Sequence, residues 1–266
     1  MVSRPSAVDN ESVVTPAVPD PRLTETRLDN SGLPRRRLAI AGRPGRSLSP
    51  GCPDGLTHGA LHSERTRAAA SVTPISVALE DREMLLRPAL PHDADLMSGE
   101  PGRLSAETFY RRFMTHAPPT PAMVAYLFEL DYIDHFAWVL VDPVTGKAAA
   151  DGRFVRDPTD SSCAEVAFTV ADAYQGLGLG RLLMDAVIVA ADVAGVLRLT
   201  ARLFVCNAAM RSLLERFAVR WSRDEPGVMS GSFDLPGHAL LLAEPALLWQ
   251  IRIAAAQTVH MSPVSR

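Results

Sequence analysis

Gln175-Gly176-Leu177-Gly178-Leu179-Gly180 is the stretch that decides the fold. An apolar, strand-like run, Ala164-Glu165-Val166-Ala167-Phe168-Thr169-Val170, leads into it. After it, Leu179, Leu182, Leu183, Ala186, Val187 and Ala190 recur at helical spacing. A glycine-rich turn between a strand and a helix leaves backbone N–H groups bare at a helix N-terminus. That arrangement suits a phosphate or pyrophosphate.

Three phosphate-binding patterns compete for this turn. A Walker loop ends in Gly-Lys-Ser/Thr, whereas Gly180-Arg181-Leu182 stands here. A dinucleotide fingerprint needs G-x-G-x-x-G, whereas these glycines fall at alternate positions. The third pattern, Q/R-x-x-G-x-G/A, is matched by Gln175, Gly178 and Gly180. It belongs to the Gcn5-related N-acetyltransferases (GNAT superfamily), where it cradles the pyrophosphate of coenzyme A.

The flanks extend that resemblance over about 160 of 266 residues, from Val77 to Pro236. Leu86-Arg87-Pro88, Phe109-Tyr110-Arg111-Arg112-Phe113, Asp131-Tyr132-Ile133-Asp134-His135-Phe136, Ala164 to Phe168 and Val170 to Gly176 carry it. The chain most resembles the bacterial Pat-type protein lysine acetyltransferases. The resemblance implies an α/β (α+β) GNAT fold with a mixed, mostly antiparallel central sheet flanked by helices. Some Pat-type enzymes carry a cyclic-nucleotide-binding domain. The chain has neither the room nor the β-roll pattern for one, so the resemblance does not bring cyclic-nucleotide control with it.

Composition narrows the class. A formal net charge of −3 leaves no electrostatic footprint for nucleic acid. Cys52, Cys163 and Cys206 are scattered and odd in number, pointing to a reducing, cytoplasmic setting and to no metal site. No run approaches the 18 or more apolar residues of a membrane helix. The first 70 residues hold eight prolines and ten arginines with little apolar periodicity, which predicts a disordered tail over 1–72. Within it, Pro34 to Gly42 has the outline of an export signal but too short an apolar core. The acetyltransferase domain is expected over 73–236, and an apolar helix and tail over 237–266.

Periodicity and turn signals predict strands at 82–87, 136–141, 147–155, 165–170, 197–203 and 228–235. Helices are expected at 104–116, 121–130, after Asn207, and at 240–255. The last could pack on the core or form a subunit contact; the oligomeric state stays open.

The resemblance also implies roles. Acetyl-CoA would be the cosubstrate. Its pyrophosphate would lie on Gln175, Gly176, Leu177, Gly178, Leu179, Gly180 and Arg181, and its arm would pair with Phe168, Thr169 and Val170. Asn207 would cap its helix and touch the arm. Arg211, one turn later, either reaches a phosphate or is solvated. Glu165, ten residues before Gln175, stands where the superfamily places a catalytic glutamate. A lysine amine has a pKa of about 10.4, so a base is needed at neutral pH. Burial in the apolar run would raise the carboxyl into a useful range. His135 is a candidate lining residue. Phe217-Ala218 stands where many members have a tyrosine acid, and the Ser98–Gly102 loop lacks regulatory histidines. The implied acceptor is a lysine of a protein, such as an acyl-CoA synthetase. A small-amine acceptor and a catalytically weak acetyl-CoA sensor are the alternatives.

Overall fold

The computed structural model describes residues 58–79, 82–94, 103–117, 120–235 and 240–260. The expectations for residues 1–57, Cys52 included, and for the Ser98–Gly102 loop lie outside them.

Among the described residues eight strands form one sheet: β1 (Ile75–Leu79), β2 (Arg82–Pro88), β3 (His135–Val141), β4 (Ala148–Arg156), β5 (Cys163–Val170), β6 (Arg198–Phe204), β7 (Arg220–Glu225) and β8 (Val228–Asp234). Their order is β1-β2-β3-β4-β5-β6-β8-β7. Every pairing is antiparallel except β5 with β6. Among the described residues six α-helices accompany it: α1 (His58–Ser71), α2 (Ala106–Phe113), α3 (Pro121–Phe128), α4 (Leu179–Val193), α5 (Ala208–Leu214) and α6 (Pro245–His260).

β3, His-Phe-Ala-Trp-Val-Leu-Val, and most of β4 are buried as continuous runs, the pattern of strands covered on both faces. α4 is apolar nearly all round and buried from Leu179 to Ala191 but for Gly180 and Arg181. It lies between the sheet and α6. Trp138 of β3 is fully buried and donates from Nε1 to the Ala186 carbonyl at 2.9 Å, fixing α4 to the sheet. Beneath α4, Phe168 of β5 lies over Gly152 of β4. A Cβ on Gly152 would stand 2.9 Å from the Phe168 ring and 3.2 Å from Leu183 Cβ. Gly152→Ala is therefore expected to destabilise the domain by about 1–3 kcal/mol. Urea unfolding checks this; an unchanged midpoint would show that the ring moves aside freely.

Two motifs that carried the resemblance are structural. In Asp131 to His135, Asp131 Oδ1 accepts from the N–H groups of Ile133, Asp134 and His135 at 2.7–3.0 Å. Tyr132 takes a left-handed φ of 60° and donates its hydroxyl to the Ala89 carbonyl at 2.9 Å. In Leu86-Arg87-Pro88, Arg87 forks onto the fully buried Asp93 with two bonds of 2.7 Å.

The structure corrects several expectations. The segment 58–71 is helical, so the disordered tail predicted over 1–72 does not hold there. α1 has no apolar stripe, but it is alanine-rich and packs on α6. Beyond α1, Val72, Ile75 and Val77 are buried, and β1 precedes the strand expected first. β7, Arg-Trp-Ser-Arg-Asp-Glu, is a strand for which the charged sequence offers no expectation; pairing with β8 creates it. The 104–116 helix is shorter, capped by Ser105 and ended by Met114 in the left-handed region. The helix expected over 240–255 starts at Pro245, a favoured first-turn proline, and runs to His260. It buries Ile251, Ala254, Ala255, Thr258 and Val259 and leaves Trp249 and Ile253 exposed.

Candidate functional site

β5 and β6 run parallel only from Cys163–Glu165 against Arg198–Thr200. β5 continues to Val170 and β6 to Phe204, each held on its outer edge by β4 and β8. The strands part after Glu165. Val166–Val170 and Ala201–Phe204 form two lips of a wedge with no ladder between them.

Strand alternation sorts the wall of this wedge. Glu165, Ala167 and Thr169 share a face with Val155, Arg153 and Asp151, their register partners on β4. His135 of β3, opposite Val155, and Thr200 of β6, opposite Glu165, lie on the same face. Val166 and Phe168 point the other way, toward α4.

α2 crosses the wedge as a strap. On one lip, Arg112 Nε donates to Thr169 Oγ1 at 3.2 Å. On the other, the Tyr110 ring stacks on Phe204 with centroids 4.6 Å apart. The start of α2 is tied to the approach of the glycine turn. Asp172 accepts from the Ser105 N–H at 2.5 Å and from Thr108 Oγ1 at 2.6 Å. Burial would raise the Asp172 carboxyl, but the bonds from Thr108 and Ser105 outweigh it and hold it below the ordinary range.

Gln175 completes that tie. Its Nε2 donates to Asp172 Oδ1 at 3.0 Å, Thr108 Oγ1 at 3.1 Å and the Val170 carbonyl at 3.2 Å. Its side chain thus positions the turn, and its carboxamide nitrogen is already engaged. Gly176 and Gly178 have φ of 82° and 84°, a conformation L side chains rarely adopt, and a Cβ on either would meet nothing within 4 Å. A Cβ on Gly180 would reach only Leu213 Cδ2, at 3.9 Å. The first turn of α4 therefore opens onto bare space. Its leading N–H groups, at Leu179 and Gly180, precede the first intrahelical bonds, which run from Arg181 and Leu182 to the Gly178 carbonyl. Leu177 packs on the core, Leu179 is buried and Arg181 is exposed. The residues present fit an elongated pyrophosphate ligand: an open helix N-terminus continuous with an unpaired strand edge.

At the end of β6, Asn207 Oδ1 accepts from the Met210 N–H at 3.2 Å, the expected cap. Arg211 Nη2 reaches Glu215 at 3.3 Å, an i,i+4 pair on the outside of α5. Phe217 lies past the end of α5, buried and stacked on Phe233 at 4.7 Å.

Glu165 stands at the apex of the wedge and is accessible through the opening. The surrounding wall strips enough water to push its carboxyl above the ordinary glutamate value, while Arg112 and Arg202 pull it back. Arg202 is itself paired with Asp224 at 3.6 Å and with Glu225. Arg153 and Asp151 form a buried ion pair at 2.7 Å, and Arg153 also donates to the Leu127 carbonyl of α3. Tyr126 of α3 faces the same region; burial first, then Glu165, raises its hydroxyl.

His135 is buried, 3.4 Å from Arg153 through Nε2. Burial and Arg153 depress its pKa to about 3, so it is neutral at any working pH. It braces Arg153 behind the wall. Unfolding frees it to titrate near 6.5, so its stabilising effect is complete above 6.5 and is lost as pH falls toward 3. Stability is expected to fall by up to about 1.4 kcal/mol per pH unit across that window. His135→Gln should flatten the slope in chemical denaturation at pH 4–7. An identical slope would refute the assignment.

Of these residues, Arg112, Tyr126, Arg153 and Asp151 were not singled out from the chain as site residues. Arg112 lay within the quoted Phe109–Phe113 motif, but its role depends on a contact with Thr169, 57 residues away.

Residues 104–218 match the model of the acetyltransferase (GNAT) family. The chain is 44% identical over 197 residues to Acetyltransferase Pat of Mycolicibacterium smegmatis, covering 74% of this chain. It spans 59% of that relative's length. Acetyltransferase PA5475 of Pseudomonas aeruginosa is 32% identical over 140 residues, 51% of this chain and 75% of its own. The GNAT domain of S. lividans PAT superposes with a TM-score of 0.56 at 26% identity, over 61% of this chain and 97% of that one. No described helix is long and apolar enough to cross a membrane. A split sheet, a glycine turn opening a helix and four concordant matches agree: this chain belongs to the GNAT acetyltransferase family, whose acetyl donor is acetyl-CoA.

Proposed function

We propose that the protein transfers acetyl from acetyl-CoA to the side-chain amine of a lysine on another protein, with Glu165 as general base. The observation that carries this reading is the parting of β5 from β6 at Glu165. It sets one solvent-reachable carboxyl at the apex of an unpaired strand edge that leads to the open N-terminus of α4.

The residues divide the work. The main chain from Gly176 to Gly180 and the α4 dipole would hold the pyrophosphate. The free edge of Val166–Val170 would align the arm by strand-like hydrogen bonds, although the Val170 carbonyl already serves Gln175. Bound acetyl-CoA supplies an activated thioester acetyl group. A backbone N–H on β5 would stabilise negative charge developing on its carbonyl oxygen. Glu165 would take a proton from the lysine ammonium, directly or through a water, and release it to solvent. Phe217 offers no hydroxyl to the departing thiolate. A free thiol has a pKa of about 8.5, so a thiolate can leave without a dedicated acid.

An acceptor that is a protein, rather than a small amine, is supported by the exposure of Glu165 and by the sequence resemblance to Pat-type enzymes. Acetyl-CoA consumption on folded proteins, lysine peptides and small amines tests it. Turnover on protein lysines is expected. Turnover confined to small amines would move the acceptor class, and tight donor binding without turnover would leave a binding protein.

A further inference from the structure

We infer that Arg112 is a positioning residue: it keeps the Glu165 carboxylate in its proton-accepting form and fixes α2 across the wedge. The inference rests on Glu165 acting as the base.

Several elements bring charge to the face of the sheet that Glu165 shares. β4 contributes Arg153 and Asp151, β6 contributes Arg202, α3 contributes Tyr126, and His135 of β3 lies behind Arg153. Most of this charge is already answered. Arg153 is neutralised by Asp151, with both side chains almost fully buried. Arg202 is shared between Asp224 and Glu225. His135 is neutral, and Tyr126 carries its proton.

Arg112 differs from all of these. Among the described residues its guanidinium has no carboxylate within ion-pair distance, and its hydrogen bond goes to the neutral Thr169 hydroxyl. Glu165 likewise has no described hydrogen-bond or ion-pair partner. Two unneutralised, opposite charges thus face one wall, in surroundings that penalise each alone. Burial pushes Arg112 down to about 10 and Glu165 upward, and each opposes the shift in the other. Arg112 cannot be the base, because it stays protonated at neutral pH. It sets how readily Glu165 gives up its own proton. The same side chain pins α2 to the free lip, so charge and tether can be separated by substitution.

The test is the pH profile of kcat/KM for Arg112→Gln, Arg112→Lys and Thr169→Val. Removing the charge should move the acid limb up by about one pH unit, tenfold in rate below it. Arg112→Lys should restore the limb. Thr169→Val should lower kcat or raise KM without moving it. A uniform loss at all pH values in Arg112→Gln would reduce Arg112 to a tether and overturn the inference.

If Arg112→Gln does not turn over, carbon-13 NMR of glutamate-labelled protein reads the Glu165 carboxyl directly, with Glu165→Gln assigning the resonance. An unmoved titration there is equally fatal. Persistence of the limb in Glu165→Gln would instead remove the base assignment itself. Its disappearance there, with no movement in Arg112→Gln, would fault this inference alone.

Discussion

Glu165→Gln is expected to lower kcat by about 10²–10⁴-fold, the usual contribution of a positioned general base. The substitution keeps the side chain's size at a site that reaches solvent, so the fold should survive. Acetyl-CoA binding, measured by calorimetry, should change by less than about twofold, because the lips and the glycine turn are untouched. The pH dependence has a definite sign. The proposed base would work deprotonated, and burial raises the Glu165 carboxyl above its ordinary value, so wild-type kcat/KM is expected to rise with pH through that raised value. The variant should lack this acid limb. A variant retaining both the limb and most of kcat would mean that another group accepts the proton.

The largest stability effect is expected far from the chemistry, at Asp185. This carboxylate is 1% exposed in the middle of α4. Oδ1 takes Arg216 Nη2 at 2.5 Å, and Oδ2 takes the Leu242 and Ala243 N–H groups at 2.8 and 2.9 Å. It joins the chain after α5 and the lead-in to α6 onto one helix. Arg216 depends on it, since Nε and Nη1 are buried without a partner. Asp185→Ala would leave a buried cation and two N–H groups unanswered, a loss of about 3–5 kcal/mol. For a domain of this size that lowers Tm by about 6–20 °C. Thermal unfolding checks it, with Asp185→Asn expected to fall between the two. A drop under about 2 °C for alanine would show that water replaces the carboxylate readily.

The sequence and the structure agree best where a segment carries its own signal. The buried run of β3, the turn into β4, the Ser105 and Asn207 caps and the apolar periodicity of α4 are local patterns that need no partner to be read. β7 and α1 had no such signal. β7 is a charged edge strand that exists because β8 offers it a ladder, and α1 is an unpatterned alanine-rich helix that needs α6. The site divides the same way. Gly176 and Gly178 are legible because positive φ leaves few alternatives to glycine. Glu165 is legible through its spacing from the turn and the family that this spacing resembles. The wedge itself is not, because strand propensity says where β5 and β6 run and nothing about where they part. Arg112, Asp185 and His135 owe their roles to residues distant in sequence.

The wedge and the glycine turn offer a ligand mainly peptide groups, which every residue possesses. Apart from Gly176 and Gly178, whose positive φ is one that side chains rarely adopt, substitutions along these segments change what projects from the chain and leave the peptide groups in place. What a ligand meets along the two lips is therefore largely indifferent to which side chains the strands carry.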